Sequence, residues 1–371
     1  MPALAEVARK KLEELAGFSR KRELFDCARE DGIYVVRNGK RLISFSCNDY
    51  LGLSHHAKVK AAAVAAIEKY GCGAGASRLV TGNHPLYGEL EAKLAAWKGA
   101  EAALVFGSGY LANIGVLPAL IGKGGLILAD KLVHACLIDG AQISNARLIR
   151  FKHNDAEDCA RLLELHRRDH TDCLIVTDEV FSMDGDVAPV AQLSKIAAAH
   201  DSWLMADGAH SLMPLQGHVD IYMGTLSKAL GSYGGYICGG KDVINYLATS
   251  ARSLMFSTGL PPASVAASIA ALDIIRENPG LAFTPLAKAK MFTDAVGLPA
   301  AQSAIVPIIL GSELKALSAA KLLEEEGFLV TAIRPPTVPE NTARLRFAFS
   351  ALHADEDVLK LAQIIKSKKL V

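Results

Sequence analysis

Through the middle of the chain, short apolar runs recur between stretches of helical periodicity. The strand candidates are 103–106, 126–129, 147–151, 173–177, 203–206, 221–224 and 236–238. Most are apolar throughout rather than alternating, as in strands covered on both faces. Seven such runs separated by helices predict a mostly parallel, doubly wound α/β sheet. Residues 85–98 form a clear helix, with Pro85 in its first turn and Leu86, Leu90, Leu94 and Trp97 on one face. An amphipathic helix is expected over 1–17, with Leu4, Val7, Ala8, Leu12 and Leu15 as its stripe. Asn38-Gly39 between two short β-like runs predicts a hairpin. Beyond the turn-rich break at 277–280 lie a strand (305–310), a helix (313–326), a strand (328–333), a last strand (343–350) and a C-terminal helix. In the last strand Arg344 and Arg346 share one face, and Leu345 and Phe347 the other. The pattern divides the chain into an N-terminal helix and hairpin segment (1–48), a large domain (49–277) and a small α/β domain (278–371).

Composition narrows the functional classes. Hydrophobic residues make up 51% of the 371, enough for a substantial core, and charged residues 21%. The net charge of +1, with no basic stripe, gives no argument for nucleic acid or an anionic membrane surface, and neither is expected as a partner. Seven cysteines without a C-x-x-C pair fit neither a zinc site nor a disulfide framework, so a reducing, cytoplasmic setting is expected and no metal. The apolar stretch 102–122 approaches bilayer length, but its glycines, Asn113 and Pro118 make it strand, turn and buried helix.

The polar residues carry the chemistry. Gly107-Ser108-Gly109, Asp130, Asp178, Asp207 and Thr225 each follow a predicted strand, and open α/β sheets bind ligands beyond those strand ends. Asp207 there and Lys228 just past another strand are what a pyridoxal phosphate site needs: a carboxylate for the ring nitrogen and an amine for the aldehyde. His210 could bond the ring's phenolic oxygen, and His134 could stack on the ring. Ser108, Gly109 and Tyr110 open a helix whose N–H groups favour a phosphate, and Ser182 and Thr225 add hydroxyls. Competing motifs fail. No G-x-S-x-G is present, Gly122-Lys123 lacks the rest of a P-loop, and His55-His56 are adjacent rather than helically spaced. The G-C-G-A-G-A run at 71–76 follows a helix, so it is no dinucleotide fingerprint.

The segments S-C-N-D-Y-L-G-L-S-H-H (46–56), G-S-G-Y-x-A-N (107–113), D-K-L-V-H-A (130–135), F-S-M-D-G-D (181–186), D-G-A-H (207–210), T-L-S-K (225–228) and F-S-T-G-L-P-P (256–262) together resemble the α-oxoamine synthases. The resemblance covers nearly the whole chain. It implies a fold-type-I pyridoxal phosphate enzyme condensing an amino acid with an acyl thioester and releasing carbon dioxide. Carried over residue by residue, Lys228 would hold the cofactor covalently, Asp207 would pair with the pyridine nitrogen, and His210 would bond the ring oxygen. Ser182, Thr225, Gly109 and Tyr110 would hold ring or phosphate, and His134 would stack on the ring and act as a second acid–base group. Thr258 would reach the phosphate of a neighbouring subunit's cofactor, implying a homodimer with shared sites. Arg346 would clamp the amino-acid carboxylate, Arg22 and Thr337 would contact the acyl substrate, with Arg20 a possible substitute for Arg22, and Asn48 would lie at the site's edge. The segment T-A-I-R-P-P-T-V-P-E-N-T-A-R-L-R (331–346) resembles members that join L-alanine to a pimeloyl thioester, on CoA or on acyl carrier protein. Glycine or serine with another acyl-CoA is the alternative. An inactive partner subunit would be expected to lack Lys228. One departure stands out: after His210 the family's glycine-rich segment is shortened to S-L-M-P-L-Q-G-H.

Overall fold

The computed structural model describes residues 2–371, which gather into two compact units. The smaller contains the chain up to Tyr50, Met183–Gly185 and Thr284–Val371; the larger contains Leu51–Ser182 and Asp186–Phe283.

The smaller unit opens with helix α1 (Leu4–Gly17), which carries the expected stripe but buries none of its residues within this chain. Met1, the first residue of the expected helix, lies outside the described residues. Strand β1 (Ala28–Asp31), which no apolar run announced, pairs with β2 (Tyr34–Arg37). Strand β3 (Lys40–Ser44) pairs antiparallel with β2 around Asn38 and Gly39. Both turn residues have positive φ, 50° and 75°, the geometry of a tight hairpin turn whose twist matches the strands.

The larger unit contains helices α2 (Ala57–Tyr70) and α3 (Leu86–Lys98), then β4 (Ala102–Phe106), α4 (Gly109–Leu120), β5 (Leu126–Asp130), α5 (Ala135–Ser144), β6 (Arg147–Phe151), α6 (Ala156–His166), β7 (Cys173–Asp178), α7 (Val190–Ala199), β8 (Trp203–Asp207), β9 (Ile221–Thr225) and β10 (Gly235–Gly239). Helices α8 (Lys241–Ser250), α9 (Arg252–Met255) and α10 (Pro262–Glu277) complete it. The seven strands form one sheet in the order β4-β10-β9-β8-β7-β5-β6, with β10 antiparallel to both neighbours and the other pairs parallel. The sheet is covered on both faces, which is why its strands read as continuous apolar runs. Ala103 and Val105 of β4 join one core with Leu90 and Leu94 of α3 and Leu272 of α10. Their neighbours Leu104 and Phe106 join another, with Val116 of α4 and Leu137 of α5. Leu90 and Leu94 are fully buried, worth about 1.5–3 kcal/mol each relative to exposure. The connection from β8 to β9 contains no helix, in keeping with the shortened 211–218 segment.

The chain then returns to the smaller unit with α11 (Thr284–Val296), β11 (Ile305–Gly311), α12 (Glu313–Glu325), β12 (Phe328–Leu329), β13 (Thr331–Ile333), β14 (Ala343–Ala348) and α13 (Asp355–Ser367). The single strand expected over 328–333 is two. Phe328 and Leu329 pair parallel with β3, whereas Thr331–Ile333 pair antiparallel with β14 in a sheet ordered β11-β14-β13. The change of partner at Val330 cannot be read from a run that is apolar across the switch. Strand β14 is central and buried on both faces, arginines included.

Candidate active site

The strand ends of the larger unit meet at one cavity of about 220 Å³. Eight of the residues predicted from sequence line it: Ser108, Gly109, Tyr110, His134, Asp207, His210, Thr225 and Lys228. They arrive from four strand ends and the segments that follow them: Ser108, Gly109 and Tyr110 after β4, His134 after β5, Asp207 and His210 at β8, and Thr225 and Lys228 at β9. Asp207 is the last residue of β8 and Thr225 the last of β9. Lys228 lies in the turn between β9 and β10, which the Thr225 hydroxyl folds by donating to the Gly234 carbonyl at 2.9 Å and accepting from the Ser227 amide at 3.2 Å.

Lys228 Nζ stands 2.7 Å from His210 Nε2. The Asp207 carboxylate, almost wholly buried, is held at both oxygens: Oδ1 accepts the Ala209 amide at 2.9 Å and Oδ2 accepts Asn113 Nδ2 at 2.8 Å. The strand register sets Asp178 directly opposite Asp207. Burial, reinforced by that neighbouring carboxylate, pushes the Asp178 acid well above the usual carboxylate range. Its Oδ1 accepts the His134 amide at 3.2 Å. His134 caps α5, and burial holds its imidazole below the ordinary value against the pull of Asp207. Its Nδ1 lies 2.8 Å from the Cys136 thiol, which burial pushes up to about 12, so the thiol stays neutral.

Helix α4 points its N-terminus at the cavity. Ser108 caps it, accepting the Leu111 amide at 3.1 Å, and the amides of Gly109 and Tyr110 precede the first intrahelical bonds. Gly235 lets this terminus pack against the sheet, since a Cβ there would lie 2.5 Å from the Gly109 nitrogen. The Tyr110 hydroxyl donates to Asp139.

Ser182 and Thr258 do not line this cavity. Ser182 follows Phe181 in the loop after β7. Thr258 bridges to Ser77 and lines a separate small cleft with Arg78. The remaining candidates belong to the smaller unit. Arg346 donates from both terminal nitrogens to Asn48 Oδ1, at 3.3 and 3.2 Å. Arg22 donates to the Thr337 hydroxyl at 2.8 Å, and both line a cavity of about 710 Å³. Burial, followed by the like charge of Arg22, lowers Arg334 in its wall. Arg20 is instead bound to Glu313 and Glu340.

Sequence reasoning gave no role to Asn113 or Cys136 and left Asp178 unassigned. Asn113 had a legible signal: it falls one helical turn after Gly109, on the same face of α4. Its Nδ2 donates to Asp207 Oδ2 and to Cys136 Sγ, both on residues that line the cavity.

A primary amine, a fixed buried carboxylate, two imidazoles and a capped helix N-terminus on one cavity are the donor set that pyridoxal 5′-phosphate requires, and the residues fit that group. Fold and site define a fold-type-I pyridoxal phosphate enzyme, and the chain belongs to the aminotransferase class I and II family, whose pattern matches residues 40–365. Among curated relatives, the 8-amino-7-oxononanoate synthase of Beijerinckia indica subsp. indica is 53% identical, covering 98% of this chain and 98% of its own. That of Methylocella silvestris is 56% identical, over 90% of this chain and 99% of its own. Among solved structures, serine palmitoyltransferase from S. paucimobilis with bound PLP matches at a TM-score of 0.93 and 26% identity, covering 100% of this chain and 99% of that one. The 8-amino-7-oxononanoate synthase of Francisella tularensis matches at 0.74 and 26%, over 88% and 98%.

Proposed function

We propose that the chain carries out the reaction of 8-amino-7-oxononanoate synthases in biotin synthesis: L-alanine condenses with a pimeloyl thioester, releasing carbon dioxide and the carrier thiol. The observation that carries this reading is identity above 50% over nearly the full length to relatives of that name, on a chain whose Lys228, Asp207 and His210 share one cavity. When bound, the cofactor supplies an aldehyde for amine capture and a ring that accepts electrons from the α-carbon. Lys228 would hold it through its amine and, once alanine is bound, would be the base that moves the proton at Cα. Asp207 keeps the ring nitrogen protonated, and His210 orients both the Lys228 amine and the ring oxygen. His134 stacks on the ring and is the second acid–base group; its lowered pKa favours the neutral imidazole such a role needs.

The N-terminus of α4, with Ser108, Gly109 and Tyr110, receives the phosphate, joined by Ser182, Thr225 and, from the neighbouring protomer of a homodimer, Thr258. Arg346 is the group suited to the alanine carboxylate, since a guanidinium binds a carboxylate through two parallel bonds. Asn48, Arg22 and Thr337 are assigned to the substrate.

A second reading, serine with a long-chain acyl-CoA, draws on the structural match to serine palmitoyltransferase, but identity there is only 26%. Carrier-thiol release measured across alanine, glycine and serine with pimeloyl, acetyl, succinyl and palmitoyl thioesters separates the readings. Alanine with a pimeloyl thioester is expected to be fastest; a faster rate for another pair would refute the assignment. Running pimeloyl-CoA beside pimeloyl-acyl carrier protein identifies the carrier.

A further inference from the structure

Outside the cavity, one cluster of titratable groups has no part in the chemistry above. It lies where three strands of the larger unit end. Asp130 is the last residue of β5, His153 lies two residues beyond β6, and Asp186 closes the loop that follows β7. His153 Nδ1 is 2.9 Å from Asp130 Oδ1, and its Nε2 is 2.7 Å from Asp186 Oδ2. Both ring nitrogens therefore face carboxylate oxygens, which accept but do not donate. A neutral imidazole has one N–H and would turn a lone pair toward the other carboxylate; only the imidazolium donates at both. Burial alone would lower this imidazole, but the hydrogen bonds and charges of Asp130 and Asp186 outweigh it and raise it to about 10.

The surroundings reinforce the same grip. Asn154, in the left-handed region at φ 54°, donates its amide to Asp130 Oδ2 and its side chain to Asp186 Oδ2, each at 2.7 Å. The Leu132 amide donates to Asp130 Oδ1 at 2.7 Å, fixing the start of the loop that ends in His134. The Phe181 ring meets the imidazole edge-on at 4.4 Å, and the Phe181 amide bonds the Asp186 carbonyl at 3.0 Å, closing the loop that carries Ser182. One cation thus ties the loop leading to His134 to the loop containing Ser182.

We propose that His153 is a positioning residue of the reaction: its imidazolium, clamped between Asp130 and Asp186, sets the spacing of the His134 and Ser182 loops and so the orientation of the bound cofactor. The proposal rests on the reading that the cavity holds pyridoxal 5′-phosphate, and its readouts do not depend on which substrates are used. His153→Gln removes the charge and one donor. Titration of the apo-variant with pyridoxal 5′-phosphate is expected to give a dissociation constant about tenfold higher, the scale of one lost charged hydrogen bond. Visible circular dichroism per bound cofactor falls, because the ring is no longer held in one orientation. Hydrogen exchange of 131–137 and 179–187 quickens in the apo-protein. Added imidazole restores affinity and dichroism to His153→Gly. If His153→Gln fails to fold, Asp186→Asn, which keeps an acceptor but removes a charge, is read the same way. A variant that loses only thermal stability, with affinity within about twofold and unchanged dichroism per bound cofactor, overturns the proposal. So does a His153→Gly variant that is indifferent to imidazole. Failure of the wild-type chain to bind the cofactor at all would instead overturn the underlying reading.

Discussion

At the residue scale, the site turns on two buried acids that register places side by side. Asp207 has both oxygens occupied by N–H donors, Ala209 at one and Asn113 at the other. Asp178 is pushed well above the usual carboxylate range by burial first and by Asp207 second. The folded apo-protein then binds a proton that the unfolded chain has released above about 3.8, so this group's contribution to stability falls as pH rises from there toward its folded pKa. Asp178→Asn replaces the titrating acid with a non-titrating amide that can still accept the His134 amide. Apo-protein melting curves should show the variant flatter between about pH 4 and 7, and at least as stable as wild type at pH 7. Its cofactor affinity should stay within about twofold. Asp207→Asn should cost about a hundredfold in turnover, because it removes the charge facing the ring nitrogen. If Asp178→Asn proved the more damaging, the two roles would have to be exchanged.

At the element scale, the strands of the large sheet were legible because burial on both faces leaves a continuous apolar run, and their polar ends marked the cavity. Other elements were illegible for equally physical reasons. Strand β1, A-R-E-D, has no apolar run and exists through its pairing with β2. The division of 328–333 depends on which sheet offers an edge. The contacts of Asn113, Cys136 and His153 join residues from different elements, which local periodicity cannot encode. Ser108 is the intermediate case, a cap visible in sequence whose value depends on where its helix points. Ser108→Ala removes the acceptor for the Leu111 amide and should cost about 1 kcal/mol in denaturant melts, whereas Ser108→Gly should cost only a few tenths. Cofactor titration should weaken in both if the hydroxyl itself meets the phosphate. If it weakens only in the alanine variant, the serine acts through the cap alone.

At the scale of the whole molecule, the position of Thr258 bears on whether one chain makes a complete site. Within this chain it lies in its own cleft beside Arg78, away from the cavity of Lys228. Helix α1 meanwhile leaves Leu4, Leu12 and Leu15 exposed, apolar surface of the kind a second protomer covers. A homodimer in which each Thr258 serves the opposite cavity accounts for the first observation, and mixed dimers test it. Lys228→Ala removes the amine, and with it the activity, of the site in its own chain. Thr258→Glu sets a carboxylate against a phosphate and disables whichever cavity it reaches. If that cavity belongs to the partner, a mixed dimer of the two variants collects both lesions in one site and leaves the other intact. Random pairing of equal amounts makes about half the dimers mixed, so about a quarter of all sites should work while either parent alone is nearly inactive. If Thr258 acts within its own chain, each site of the mixed dimer carries one lesion. The mixture then gains nothing over the average of its parents, and the shared-site arrangement would have to be abandoned.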